Sequence, residues 1–229
     1  ELARLEYQKA LELDPKHARS YGAIAYSLAQ DYRRGWTDNP VESIDRALLM
    51  AQKAVELGKD IPQTHWALGY VHLMRREYEE ARKSVEQAIR IAPNYADGYG
   101  LLALINNNLG QPERALENIQ AGMRLNPFYT WDYPYNQGRA YYQLGRYEEA
   151  VAILEQAQTR NENAEPIKLW LVASYIRNGQ PDDAEWAAEE LQILNPAATL
   201  SHTAKTIPIP DPHQRSAFID DLRQAGMPE

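Results

Sequence analysis

The sequence predicts an all-α chain, a right-handed α-solenoid of stacked helix–turn–helix units with a C-terminal capping helix, on three observations. Small residues recur at Ala3, Ala47, Ala81, Ala115, Ala150 and Ala184, separated by 44, 34, 34, 35 and 34 positions. A nearly fixed interval of this size marks an array of like supersecondary units. Apolar residues around each position keep three- and four-residue spacing, which calls for amphipathic helices. Glycine and proline then punctuate the pattern: Gly110, Gly145 and Gly179 stand between the two helices of a unit, and Pro15, Pro93, Pro127 and Pro196 follow the second. Lys59 and Glu162 alone break the proline column.

Residues 1–17 read as the second helix of a truncated repeat, with Ala3, Tyr7 and Ala10 in register with the columns of the later units. Its opening inside that helix predicts a piece of a longer protein. Residues 18–196 read as five helical hairpins. Ten extra residues around Asp31–Pro40 lengthen both helices of the first by about five residues, or about 7.5 Å each. Thr37, Asp38 or Asn39 caps its second helix, with Pro40 in the first turn. Trp36 at the tip is either a packing plug or an exposed contact. One residue is inserted near Asn126–Tyr135, so the next helix starts late, near Tyr133, beside a packed aromatic joint. Residues 197–229 read as an extended linker and a capping helix. Ile207-Pro208-Ile209-Pro210 must run extended, because alternate prolines forbid helix. Asp211 then caps a helix whose stripe of Phe218, Leu222 and Ala225 covers the last unit near Leu191 and Leu194.

Leu68, Gly69, Tyr78, Ala81, Ala88 and Pro93 sit where the tetratricopeptide repeat (TPR) places its motif residues, and the units resemble that family. The long first hairpin, the stretch Leu125–Trp131 and the ending Asp211–Glu229 further resemble the C-terminal repeat region of bacterial signalling proteins. In those, such arrays follow a class III adenylate/guanylate cyclase domain or a winged-helix transcriptional regulator. The resemblance implies a regulatory or docking role for an attached output domain.

Several chemistries are excluded or disfavoured. There is no cysteine, so thiolate metal sites and cysteine nucleophiles are absent. No zinc-protease pair, phosphate-cradling glycine loop or calcium loop occurs. His65 and His72 occupy inward columns and read as core residues. Glu79-Glu80 and Glu148-Glu149 fall in first helical turns, where carboxylates favour the helix dipole. The expectation is a chain with no cofactor, no metal and no catalysis. A formal net charge of −8 argues against nucleic-acid binding, which wants a basic face. No stretch is apolar for the length of a membrane span, and the expected location is cytoplasmic.

The expected partner is a protein or peptide, with homodimerisation the alternative. First helices of successive units line a groove in such arrays. The residues stepped onto that face are Tyr26 and Gln30, then Trp66, Tyr70 and Met74, then Leu104 and Asn108. Tyr135, Arg139, Gln143 and Arg177 complete the set. Trp66, Tyr70 and Tyr26 are the expected apolar anchors, and Arg139 and Arg177 the expected selectors of an acidic or carboxylate-bearing partner. Trp66 and Gly100 stand where chaperone-tail-binding members of the family carry a polar carboxylate clamp, so that ligand is disfavoured.

Overall fold

The computed structural model describes residues 2–229. Its helices are α1 (Leu2–Leu13), α2 (Ala18–Arg34), α3 (Pro40–Leu57), α4 (Pro62–Met74), α5 (Tyr78–Ile91), α6 (Ala96–Asn108) and α7 (Pro112–Leu125). They continue with α8 (Asp132–Gln143), α9 (Tyr147–Arg160), α10 (Glu165–Arg177), α11 (Pro181–Leu194), α12 (Leu200–Thr206) and α13 (Pro212–Gln224). No strand occurs among the described residues. The fold is all-α, of the α-solenoid class.

The chain divides into two compact units, one ending at Ile105 and one beginning at Asn106.

In the first unit α2 pairs with α3 and α4 with α5, and α4 also packs on α2 and α3. Ala47, Ala51 and Ala54 of α3, with Ala81, Val85 and Ala88 of α5, are wholly buried. In α1 the same column is not buried. The second unit repeats the scheme with α8 on α9 and α10 on α11, and α10 packs on α8 and α9 as well. Its buried columns are Ala150, Leu154 and Ala157, then Ala184, Ala188 and Leu191.

Small residues on the first helices that face these columns have a geometric cause. A Cβ on Gly138 of α8 would lie 2.7 Å from Leu154 Cδ2 of α9, and closer still to its Cγ. At the matching place in the first unit, a Cβ on Gly69 would overlap Val85 and stand 3.1 Å from the Ala81 carbonyl oxygen. Hairpin turns use a left-handed residue, and where glycine is missing Arg76 takes that role at φ 61°.

The first hairpin is long, but by less per helix than expected. α2 has 17 residues against 13 in α4, and α3 has 18 against 14 in α5. The remaining insertion widens the connecting loop. Asn39 stands at the start of α3 without a side-chain cap; its amide donates to Glu42 instead. Trp36 is exposed and carries the Arg34 guanidinium over its ring at 4.5 Å. In the second unit α8 starts at Asp132. The joint before it is packed: Arg160 donates to the Tyr129 carbonyl at 2.9 Å and stacks on the Tyr129 ring.

After α11 the chain differs most from expectation. A seven-residue helix, α12, interrupts the stretch expected to be extended from residue 197; Thr199 caps it through the amide of His202. Asp211 caps α13 through the amide of Gln214, with Pro212 in the first turn. Phe218, Leu222 and Ala225 are buried. They join Leu191 in one buried cluster, but Leu194 stays exposed. Instead α13 lies on α10, where Phe218 meets Trp170 at 4.7 Å and Tyr142 of α8 at 5.5 Å between ring centroids. Phe218 thus completes an aromatic cluster with rings from α8 and α10.

Candidate functional site

The face expected to bind a partner falls into two parts with opposite characters. In the first unit, α2 and α4 bring Tyr26, Trp66 and Tyr70 together. Trp66 stacks on Tyr70 at 5.6 Å and 14°, while Tyr26 meets Trp66 at 5.3 Å and Tyr70 edge-on at 4.9 Å. Trp66 Nε1 donates to the Asp97 carbonyl at 3.0 Å, and the Gln30 amide donates to the Tyr26 hydroxyl at 2.6 Å. These bonds fix the rings without consuming their faces. Tyr70 is buried, and burial pushes its hydroxyl up to about 12 against the opposing pull of Arg33. Met74 and Leu104 are half-buried.

Beside this cluster opens a cavity of about 400 Å³. Gly22, Ala23 and Ala67 form part of its wall, and Tyr7, Tyr26, Trp66 and Tyr95 supply the aromatic part. His17, Arg19, Gln63 and Thr64 complete it, so no carboxylate lines it. Burial, reinforced by the Asp97 carboxylate, pushes the Tyr95 hydroxyl up. Sequence reasoning missed Tyr7 and Tyr95. Tyr7 sits in the α1 column that holds Ala51, Val85, Ile119, Leu154 and Ala188 in the later units, and a ring stands there in α1 alone. Tyr95 lies in a loop, outside any helical column.

In the second unit the expected face is already covered. Tyr135 borders a cavity of about 220 Å³ whose other wall is α12 with Ile207 and Pro208. Gln143 and Arg177 border one of about 280 Å³ closed by His213, Gln214 and Ala217 of α13. Arg177 Nε donates to Asp221 Oδ2 at 2.7 Å, and the Tyr142 hydroxyl donates to the same oxygen at 2.8 Å. Burial raises the Asp221 carboxyl above its ordinary value, outweighing these two hydrogen bonds, which lower it. The acid that Arg177 engages thus belongs to the chain itself.

Arg139 does not fit its expected role. It is 1% exposed, donates to Asn108 Oδ1 at 2.8 Å, and lies over the rings of Trp170 and Tyr135 at 5.0 and 5.6 Å. A residue sealed in this way selects no outside ligand. Asn108 is buried as its partner.

Profiles of one family, the tetratricopeptide repeat, match residues 62–95, 107–166 and 141–205. The helical hairpins are tetratricopeptide repeats. The chain is similar to Superkiller protein 3 of Saccharomyces cerevisiae, 24% identical over 174 residues. That match covers 75% of this chain and 12% of the yeast protein. Solved TPR structures share the fold. One is the APC/C hetero-tetramer Cut9–Hcn1, with a TM-score of 0.77 at 17% identity over 97% of this chain and 39% of that one. Another is YrrB, described as a TPR protein with an unusual peptide-binding site, with a TM-score of 0.56 at 21% identity over 88% and 98%. A third is PilW, a type IV pilus biogenesis factor, with a TM-score of 0.66 at 16% identity over 89% and 88%. TPR arrays are in general non-catalytic scaffolds for protein partners.

Among the described residues no three His, Cys, Asp or Glu side chains stand together to hold a metal. No described helix is long and apolar enough to cross a membrane.

Proposed function

We propose that the chain is a non-catalytic interaction module, and that its first unit holds a peptide or helix of a protein partner against Tyr26 and Trp66. A bulky apolar side chain of the partner enters the cavity of about 400 Å³ beside them. The observation that carries this reading is a cavity walled by four aromatic rings and three small residues, without a carboxylate, in a chain of net charge −8. Rigid aromatic anchors over a pocket are what dominate binding energy at protein interfaces. A peptide-binding site in YrrB, which has the same fold, supports the class of ligand. The wider setting we infer is a docking region of a larger bacterial signalling protein, carrying a cyclase or winged-helix output domain.

Peptides selected from a random library against the whole chain test this reading. Trp66→Ala is expected to weaken a selected peptide by about 2 kcal/mol or more, with helicity by circular dichroism unchanged. Equal affinity in a folded Trp66→Ala protein removes the first unit from consideration.

One observation favours a second reading, self-association. The segment from Ile207 to Met227 is seated on α8 and α10 of its own chain, and exchange between two copies would remake the same contacts. Light scattering of the whole chain across a concentration series decides it; a monomer throughout ends this reading.

A further inference from the structure

Three of the hairpins close a loop by one repeated device. The Tyr21 hydroxyl donates to the Pro15 carbonyl at 3.2 Å, the His65 ring bonds the Lys59 carbonyl at 2.8 Å, and the Tyr99 hydroxyl donates to the Pro93 carbonyl at 3.1 Å. Each ring stands in the first turn of a first helix and folds over the carbonyl six residues upstream. At the matching place in α10 both members of the pair differ. Lys168 replaces the ring and Glu162 the residue upstream, which is Pro15 or Pro93 in two of the other pairs. Lys168 turns away from the loop, and its ammonium donates to Glu190 of α11 at 2.6 Å.

What opens there is a groove of about 540 Å³ between α9 and α11, floored by α10. Its lining includes Glu155, Glu162, Glu190, Trp186, Ile193 and Lys168. Trp186 and Ile193 are 61% and 80% exposed, although their spacing along α11 puts them on one face with Glu190. Exposed large apolar side chains grouped at a groove mark a docking surface more often than scattered ones do. The charge is one-sided. α11 carries Asp182, Asp183, Glu185, Glu189 and Glu190 and no lysine or arginine. Lys168 is spent on Glu190, and Glu155 accepts from the Tyr175 hydroxyl at 2.8 Å.

We propose that this groove is a second interaction site, and that it binds an amphipathic segment of a protein partner carrying arginine or lysine beside a large apolar side chain. The apolar side chain lies along Trp186 and Ile193, and the cations face Glu155, Glu162 and Glu190, the carboxylates that line the groove. A second copy of this acidic chain does not supply that complement; a basic helix does. The site lies on the second unit and is independent of the first-unit reading above.

The test uses the whole chain and a synthetic amphipathic peptide of about 18 residues, long enough to hold helicity, with leucine on one face flanked by arginine. A copy with glutamate for arginine is the control. Titration by fluorescence anisotropy is run at about 0.15 M ionic strength, where diffuse attraction is screened. The arginine peptide is expected to bind and the glutamate peptide not to. Trp186→Ala is expected to weaken binding about tenfold or more. The double variant Glu162→Pro, Lys168→Tyr restores the loop-closing ring and is expected to weaken binding to a similar degree. Trp186 is exposed, so its replacement leaves the fold intact even if the double variant does not fold. Absence of binding, or equal binding in wild type and Trp186→Ala, overturns the proposal. So does a wild-type dimer that Trp186→Ala dissolves, which would assign the face to a second copy. Trp66→Ala, on the other unit, is expected to leave this peptide's affinity unchanged, so the two readings fail separately.

Discussion

Asp221 shows how one residue can be both a clasp and a burden. Its carboxylate accepts from Arg177 and Tyr142, yet burial raises its proton affinity above that of an unfolded aspartate. A carboxyl that binds its proton more tightly in the folded chain adds stability below its ordinary range, about pH 3.9. That contribution disappears as pH rises through the raised folded value. Asp221→Asn keeps an acceptor for both donors and removes the titration. Its melting temperature, taken relative to wild type, is therefore expected to rise between pH 4 and pH 7. A relative fall over that window would mean that the ion pair with Arg177 outweighs burial. The same neighbourhood explains a limit of sequence reading. Arg139 and Arg177 stand on the expected face by register, but register does not reveal that Asn108 and Asp221 meet them first. Tyr26 and Trp66, by contrast, stay partly open, although the Asp97 carbonyl meets the edge of Trp66.

At the scale of elements, helix pairs are spaced by what is missing from them. Gly138 crosses Leu154 where a single methyl group has no room, and Gly69 crosses Val85 in the same way. Gly138→Ala is expected to destabilise the second unit by about 1–3 kcal/mol through overpacking, despite alanine's better helix propensity. A denaturant melt checks this, and a stabilised variant would show that the pair has slack. The alanine columns were legible because each is repeated, so every unit vouches for the next. α12 was not: at seven residues it has too few turns to show a period, and Thr199 is a cap of ordinary composition. The seat of α13 was not legible either. Phe218 meets Tyr142 and Trp170 across long sequence separations, and local spacing does not encode which surface an apolar stripe will choose.

For the whole chain, the C-terminal segment is structural. Phe218 and Leu222 are wholly buried, and each such side chain contributes about 1.5–3 kcal/mol. The Leu200 amide also donates to the Pro228 carbonyl at 2.8 Å, which ties the end of the chain to α12. Truncation after Pro210 is expected to lower the melting temperature of the second unit. Trp170, which loses its contact with Phe218, reports the change by fluorescence. Trp186 reports little, since it is exposed. An unchanged melt would make the segment a free tail.

The covering of α8 and α10 also has a kinetic consequence. Any ligand for that face waits for the segment to lift, so its association rate levels off at the rate of lifting however much ligand is added. Its apparent affinity is its intrinsic affinity scaled by the fraction of chains found open. Among the described residues no such segment is seated on the aromatic cavity of the first unit, so a ligand proposed for it would meet no such delay.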